Sequence, residues 1–285
     1  MDSMSVLIAG ARGYIGAAAL RRLRADGTKV LPLSSSPSED FGWLDLGNPK
    51  SFDSISICEG DFILLMAAIS SPDVCAKDPE LVRRINVEGT GEFISTCITR
   101  GARVIFFSSD TVYGERTDAF DESATCNPSD DYAVMKHEVE GRFLGNTAFK
   151  TIRLSYVFSS DDKFTKYLRE CVERMKEAEI FHPFYRAVVH RDDVVQGAIT
   201  LAQRWDEFPQ SAINFGGPNV IARTEFAQTL KETVLPVLRF RQIEPEPDFF
   251  TNRPRMIQMT SPVLVSLLGR PARTLREAAR IEINL

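Results

Sequence analysis

A doubly wound α/β sheet with a small C-terminal lobe is the fold class this sequence predicts, and three observations predict it. The apolar run Val6-Leu7-Ile8-Ala9 leads into glycines at 10, 13 and 16, then into an alanine- and leucine-rich segment. Short apolar runs then alternate with stretches of helical periodicity as far as Leu154. Those runs are continuously apolar, as strands are when both faces of a parallel sheet are covered.

The elements follow in order. The glycine stretch reads as strand, tight turn, helix. The first turn of a helix carries unpaired N–H groups and the positive end of the macrodipole, so a diphosphate can bind there if no side chain blocks it. Gly10 permits the turn, Gly13 lets phosphate approach, and Gly16 lets helix and strand pack closely. Tyr14–Ala25 is predicted helical and stops at Asp26-Gly27. Lys29–Leu33 is a second strand, running into the polar loop Ser34-Ser35-Ser36-Pro37. Phe62–Met66 is a buried strand. Pro79 suits the first turn of a helix reaching about Thr99, which Gly101 breaks. Arg103–Phe107 and Phe149–Leu154 are further strands, with a helix over Tyr132–Leu144 between them. Past Tyr156 the alternation loosens. Helices are predicted over Phe164–Ala178, Arg191–Arg204, from about Thr224, and over Pro262–Leu268 and Leu275–Ile281; Val188–His190 and Ile213–Phe215 read as strands. Residues 1–155 are expected to form a dinucleotide-binding domain. Residues 156–285 form a substrate-binding lobe, with about 180–215 returning to the first domain.

Composition narrows the function classes. The 285 residues are 44% hydrophobic and 26% charged, with a net charge of −5. That balance gives no reason to expect nucleic acid or an anionic membrane as partner. No apolar run approaches the roughly 20 residues of a membrane span, and the N-terminus lacks the features of a signal peptide. Five cysteines without paired spacing read as reduced thiols of a cytoplasmic protein, and three scattered histidines argue against a metal site.

Chemistry is expected in the loops beyond the carboxyl ends of the strands. One reads Phe107-Ser108-Ser109-Asp110-Thr111-Val112-Tyr113-Gly114, and further on comes Tyr132-Ala133-Val134-Met135-Lys136. Tyrosine and lysine four apart share a helix face. A phenol titrates near 10 in water, and an adjacent ammonium brings it closer to working pH. A serine at a strand end can hold a carbonyl. The bland alternative is a surface Tyr–Lys contact.

Together, Gly10-x-x-Gly13-x-x-Gly16, Asn86-Val87-x-Gly89-Thr90, Ser109, Tyr132-x-x-x-Lys136 and Val189-His190-x-Asp192-Asp193-Val194 resemble the extended short-chain dehydrogenase/reductases. These form the NAD(P)-dependent sugar epimerase/dehydratase superfamily, whose dinucleotide domain is a Rossmann fold. The resemblance implies that Tyr132 is the general acid/base, that Lys136 binds the nicotinamide ribose and lowers the tyrosine pKa, and that Ser109 orients the substrate oxygen. It implies cofactor contacts at Gly10, Arg12, Gly13, Tyr14, Ile15, Gly16, Ser34, Ser35, Asp45, Leu46, Ala67, Ala68 and Lys136. The bland reading of Asn86 is a polar group satisfied within its own helix. A homodimer through the helices near 80–99 and 132–144 is also implied.

Within the superfamily, 4,6-dehydratases resemble one another in Thr-Asp-Glu before Val-Tyr-Gly, where the carboxylate removes a sugar proton. Here the slots hold Ser109-Asp110-Thr111, and threonine is no base near neutral pH. Ser-Asp at this site resembles dTDP-4-dehydrorhamnose reductases, as do Asn214-Phe215-Gly216-Gly217-Pro218 and Asn252-Arg253-Pro254-Arg255. Thr111 also fits the 4-epimerases. After the second strand, where NAD-specific sites carry a carboxylate for the ribose 2′-OH, stand Ser34, Ser35 and Ser36. With Arg12 nearby, they would accept a 2′-phosphate. NADP(H) is therefore the expected cofactor, with NAD(H) possible. Arg153, Tyr156, Arg186, Arg253 and Arg255 are candidates for a nucleotide diphosphate, Arg253 also by resemblance. The substrate-binding set is Ser70, Asp110, Thr111, Tyr156 and Arg253. The expected function is NADPH-dependent reduction of a nucleotide-linked 4-keto-(deoxy)sugar. The alternatives are a nucleotide-sugar 4-epimerase with tightly bound NAD and a non-catalytic dinucleotide-binding regulatory subunit.

Overall fold

The computed structural model describes residues 5–70, 78–251 and 253–283. Cys75 and Asn252 lie outside the described residues. The chain divides into two compact units. One holds residues up to Ser109 with Asp131–Arg153 and Ala198–Ile213; the other holds Asp110–Asp130, Leu154–Gly197 and residues from Asn214 onward.

The elements run β1 (Ser5–Ala9), α1 (Tyr14–Ala25), β2 (Lys29–Ser34), β3 (Gly42–Trp43), β4 (Phe62–Leu65), α2 (Pro79–Arg83) and α3 (Thr90–Thr99). They continue with β5 (Arg103–Ser109), β6 (Arg116–Phe120), α4 (Asp131–Phe143), β7 (Phe149–Leu154), β8 (Val157–Phe158), α5 (Lys163–Glu173) and β9 (Ala178–Phe181). Next come β10 (Tyr185–Ala187), β11 (Val189–His190), α6 (Arg191–Gln203), β12 (Ala212–Phe215), β13 (Val220–Ala222) and α7 (Arg223–Thr233). The last are β14 (Phe240–Ile243), β15 (Ile257–Met259), α8 (Pro262–Leu268) and α9 (Leu275–Glu282).

The first unit is built on a seven-stranded sheet of order β12-β7-β5-β4-β1-β2-β3. Strands β3, β2, β1, β4 and β5 pair in parallel. Strand order reverses between β1 and β4, and such a switch point opens a crevice at the carboxyl ends of the two strands. The central strands are buried over most of their length: Leu7, Ile63, Leu65, Val104 and Phe106 meet Val82, Val87, Phe93, Ile94, Cys97, Met135 and Val139 from the helices. Asp78 caps α2 by accepting from the Leu81 amide, with Pro79 just inside, as the sequence suggests. The predicted single helix to Thr99 is interrupted by a π turn over Arg84–Gly89.

The second unit is a set of two-stranded pairs: β6 with β15, β8 with β11 and β9 with β14, all parallel, and β10 with β13 antiparallel. Its core gathers Phe158, Phe164, Leu168, Phe226, Leu230, Leu238 and Leu275. The helix expected over Phe164–Ala178 stops at Glu173. Met175 takes φ 52°, a left-handed turn, and the Lys176 amide closes back on the Cys171 carbonyl at 2.8 Å. Ala178 thereby starts a strand instead. Cys58, Cys97, Cys126 and Cys171 are free thiols. Among the described residues no helix is long and apolar enough to cross a membrane.

Candidate active site

The glycine turn lies at the switch point. Gly10 has φ 89°, and a Cβ there would sit 2.9 Å from the Ala67 amide nitrogen. A Cβ on Gly16 would sit 2.3 Å from the Gly10 carbonyl oxygen. Both positions exclude larger residues, one by backbone conformation and contact, the other by contact alone. Among the described residues, the first turn of α1 carries no acidic residue and no side-chain cap, which leaves the positive end of the helix dipole uncompensated by side chains. Tyr14 and Ile15 are half-buried within that turn. The residues present therefore fit a dinucleotide diphosphate: a helix N-terminus without acidic side chains, behind a glycine turn so tight that an added Cβ would collide with backbone.

Around that cradle stand the other predicted contacts. Arg12 is exposed; its Nη2 donates to Ser38 Oγ at 3.0 Å, and its guanidinium lies 4.1 Å from the Phe41 ring centroid. Ser34 Oγ accepts from the Ser36 amide at 3.2 Å, while Ser35 is exposed. Asp45 Oδ1 accepts from the Gly47 amide at 2.9 Å. The Leu46 carbonyl passes so close to Gly89 that a Cβ there would lie 1.6 Å from it. Ala67 and Ala68 follow β4 half-buried, and Ser70 is exposed. Asn86 differs from expectation. Rather than bonding within its helix, it accepts from the Ile69 amide at 2.9 Å and donates to the Ile69 carbonyl at 2.8 Å. It thus pins the loop that carries Ala67 and Ala68.

Tyr132 and Lys136 lie on α4, and Ser109 closes β5. Lys136 is buried; its Nζ donates to the Phe107 carbonyl at 2.7 Å and lies 4.4 Å from the Phe106 ring centroid and 5.7 Å from that of Tyr132. Burial pulls the amine down to about 7, opposed by the charge of Glu140. Glu140, fully buried one turn further along, accepts from Arg153 Nε at 3.1 Å and Nη2 at 2.7 Å. Sequence reading missed Glu140, although its spacing of four from Lys136 repeats that from Tyr132 to Lys136.

The remaining candidates belong to the second unit. Asp110 and Thr111 open a 3₁₀ turn over Asp110–Tyr113. Asp110 is buried, with Oδ2 accepting from Ser155 Oγ at 2.7 Å and lying 3.8 Å from Arg186 Nε. Arg186 donates to the carbonyls of Tyr185 at 2.6 Å and Pro254 at 2.8 Å. The Tyr156 hydroxyl donates to Asp162 Oδ1 at 2.5 Å, and burial together with that carboxylate holds the phenol well above its ordinary value. Tyr156, Phe164, Phe184, Phe226, Arg186 and Arg223 line a cavity of about 20 Å³, room for one water. Arg223, which no sequence pattern marks, stacks 4.6 Å from the Phe184 centroid and 4.7 Å from that of Phe164. Arg253 is half-buried, donating to the Phe249 carbonyl at 3.2 Å.

A family model described as the NAD dependent epimerase/dehydratase family matches residues 6–216. The chain belongs to this family. Among its relatives, methionine adenosyltransferase 2 subunit beta of Xenopus laevis is 25% identical over 267 residues, covering 89% of this chain and 79% of the relative. A solved dTDP-4-dehydrorhamnose reductase from Clostridium acetobutylicum superposes with TM-score 0.82 at 20% identity over 98% of both chains. MoeE5 in complex with UDP-glucuronic acid and NAD gives TM-score 0.80 at 24% identity, over 98% of this chain and 97% of the other. These structures share the fold of this epimerase/dehydratase family member.

Proposed function

We propose that the protein is an NADPH-dependent reductase of a nucleotide-linked 4-keto-(deoxy)sugar. The observation that carries the reading is the residue set: Ser109, Tyr132 and buried Lys136 are all present, while the slot after Asp110 holds Thr111 rather than a carboxylate. A bound nicotinamide dinucleotide supplies the hydride. Tyr132 gives its proton to the developing alkoxide, Ser109 hydrogen-bonds that oxygen, and Lys136 keeps the phenol acidic. NADP(H) rather than NAD(H) is favoured by Arg12 and Ser38 beside the loop after β2, where Ser34, Ser35 and Ser36 take the usual place of the carboxylate and the nearest one, Glu39, lies past Pro37. Ser70, Asp110, Thr111, Tyr156 and Arg253 are the proposed substrate contacts. A cytoplasmic homodimer completes the reading. The test is a turnover screen of dTDP-, UDP-, GDP- and CDP-linked 4-ketosugars, following NADPH absorbance. No turnover on any of them removes the reading.

Two other readings have specific support. Thr111 suits a 4-epimerase, and a purified protein that retains NAD and interconverts sugars without net cofactor oxidation would establish it. The likeness to a protein named as a methionine adenosyltransferase subunit favours a dinucleotide-binding regulatory role. Retained NADPH binding with no turnover, and altered activity of a catalytic partner on mixing, would establish that one.

A further inference from the structure

We propose that Glu140 is a positioning residue: its buried carboxylate, clamped by Arg153, holds the Lys136 ammonium charged and so sets the acidity of Tyr132. The part concerning Tyr132 rests on the reductase reading above; the part concerning Lys136 does not.

Tyr132, Lys136 and Glu140 follow at intervals of four on α4, so they line one face of the helix. Along that face burial deepens, from half-buried Tyr132 to Lys136 at 4% exposure and Glu140 at 0%. Glu140 Oε2 takes two hydrogen bonds from Arg153, while Oε1 is buried with no hydrogen-bond partner among the described residues. A carboxylate oxygen left without a donor in an interior is costly to keep. Lys136 makes its hydrogen bond to the Phe107 carbonyl, so Glu140 acts on it through space. In a dry interior such a field is far stronger than at a surface.

Among the described residues of the first unit, the other groups near this face are few. Strand β5 offers Lys136 the Phe106 ring and the Phe107 carbonyl, and its Arg103 pairs with Asp206. Strand β7 offers Arg153, bound to Glu140, and Lys150, which donates to the Phe208 carbonyl. On α4, His137 Nδ1 lies 4.0 Å from Glu140 Oε2, Glu138 is paired with Arg83 and Arg142, and Asp131 is exposed. Arg84 and Glu88 of the π turn and Glu92 of α3 are exposed. Among those groups, Glu140 is thus the buried anion on the Lys136 face. Burial lowers the amine and Glu140 opposes it, so removing that charge converts Lys136 to the neutral amine at lower pH.

The experiment is an NMR titration of the lysine side chain in the full-length protein, with the Lys136 signal assigned by its loss in Lys136→Met. In Glu140→Gln the midpoint is expected to fall by about one pH unit or more, a tenfold change in proton affinity. Glu140→Asp should recover part of the shift, and the alkaline limb of NADPH binding should move the same way. Because Glu140→Gln removes the carboxylate to which buried Arg153 donates, Glu140→Gln/Arg153→Met is the second variant if the first does not fold. A folded variant whose Lys136 titrates like the parent overturns the proposal. A shifted midpoint with no ketosugar turned over would count against the reductase reading and leave the role of Glu140 standing.

Discussion

Lys136 and Phe107 are joined by a 2.7 Å hydrogen bond from the ammonium to the main-chain carbonyl. The bond ties α4 to the end of β5 two residues before Ser109. A side-chain cation held by a strand carbonyl has little freedom to drift, so the distance from Nζ to the Tyr132 ring is set by two regular elements rather than by a loop.

Tyr132→Phe should therefore lower kcat by about a thousandfold, the scale of a lost general acid. NADPH affinity should stay within about twofold, since the phenol hydroxyl adds little to cofactor binding compared with the diphosphate cradle. Stopped-flow hydride transfer and fluorescence titration of NADPH separate the two quantities. Unchanged turnover would show that the proton comes from elsewhere.

Arg12→Ala tests the cofactor preference. The guanidinium lies between Ser38 Oγ and the Phe41 ring, at the loop where a 2′-phosphate would sit. Losing one charge-assisted contact of this kind should lower the ratio of NADPH to NADH affinity by about tenfold. NADH affinity itself should barely change. Calorimetric titration of both nucleotides gives the ratio directly.

Much of the dinucleotide unit is legible in the sequence because its signals are local. The strand, glycine turn and helix at residues 5–25 and the Tyr132/Lys136 spacing need only near neighbours to be recognised. The second unit is not legible in that way. Its paired strands are two to five residues long, too short for periodicity to register, and their partners are remote: Arg116 aligns with Ile257 and Ala178 with Phe240. The helix past Glu173 reads on because nothing in Arg174-Met175-Lys176 announces a left-handed turn at a methionine. Glu140 looks like one more charge on a solvated helix face until Arg153 arrives from β7 to bury it. Asn86 likewise finds its partner, Ile69, in a loop rather than in its own helix.

Asn86→Ala would remove both hydrogen bonds that Asn86 makes to the Ile69 main chain, in a half-buried loop. The expected cost is about 2 kcal/mol in unfolding free energy. Because the same loop carries Ala67 and Ala68, NADPH affinity should also fall, by about tenfold. Asn86→Asp keeps the acceptor for the Ile69 amide and should recover part of both losses. Chemical denaturation and NADPH titration on the three proteins decide it.

Glu282 supplies the acid-stability prediction. Its Oε1 lies 3.0 Å from His190 Nε2 and 3.4 Å from Arg191 Nη2, and its Oε2 accepts from the Ser160 amide at 3.1 Å and Oγ at 2.8 Å. Burial pushes this carboxyl up, but the donors from His190 and Ser160 and the charge of Arg191 prevail and bring it to about 2. A carboxyl whose folded value lies below its unfolded value, about 4.3, stabilises the fold above that unfolded value and loses the contribution as pH falls toward 2. Glu282→Gln should thus cost about 1–2 kcal/mol at pH 6, discounted for the partial solvent exposure of the group. The gap between parent and variant should close progressively between about pH 4.5 and 2. Melts across that range read the gap; one that stays constant with pH would mean that the Glu282 charge does not hold α9 in place.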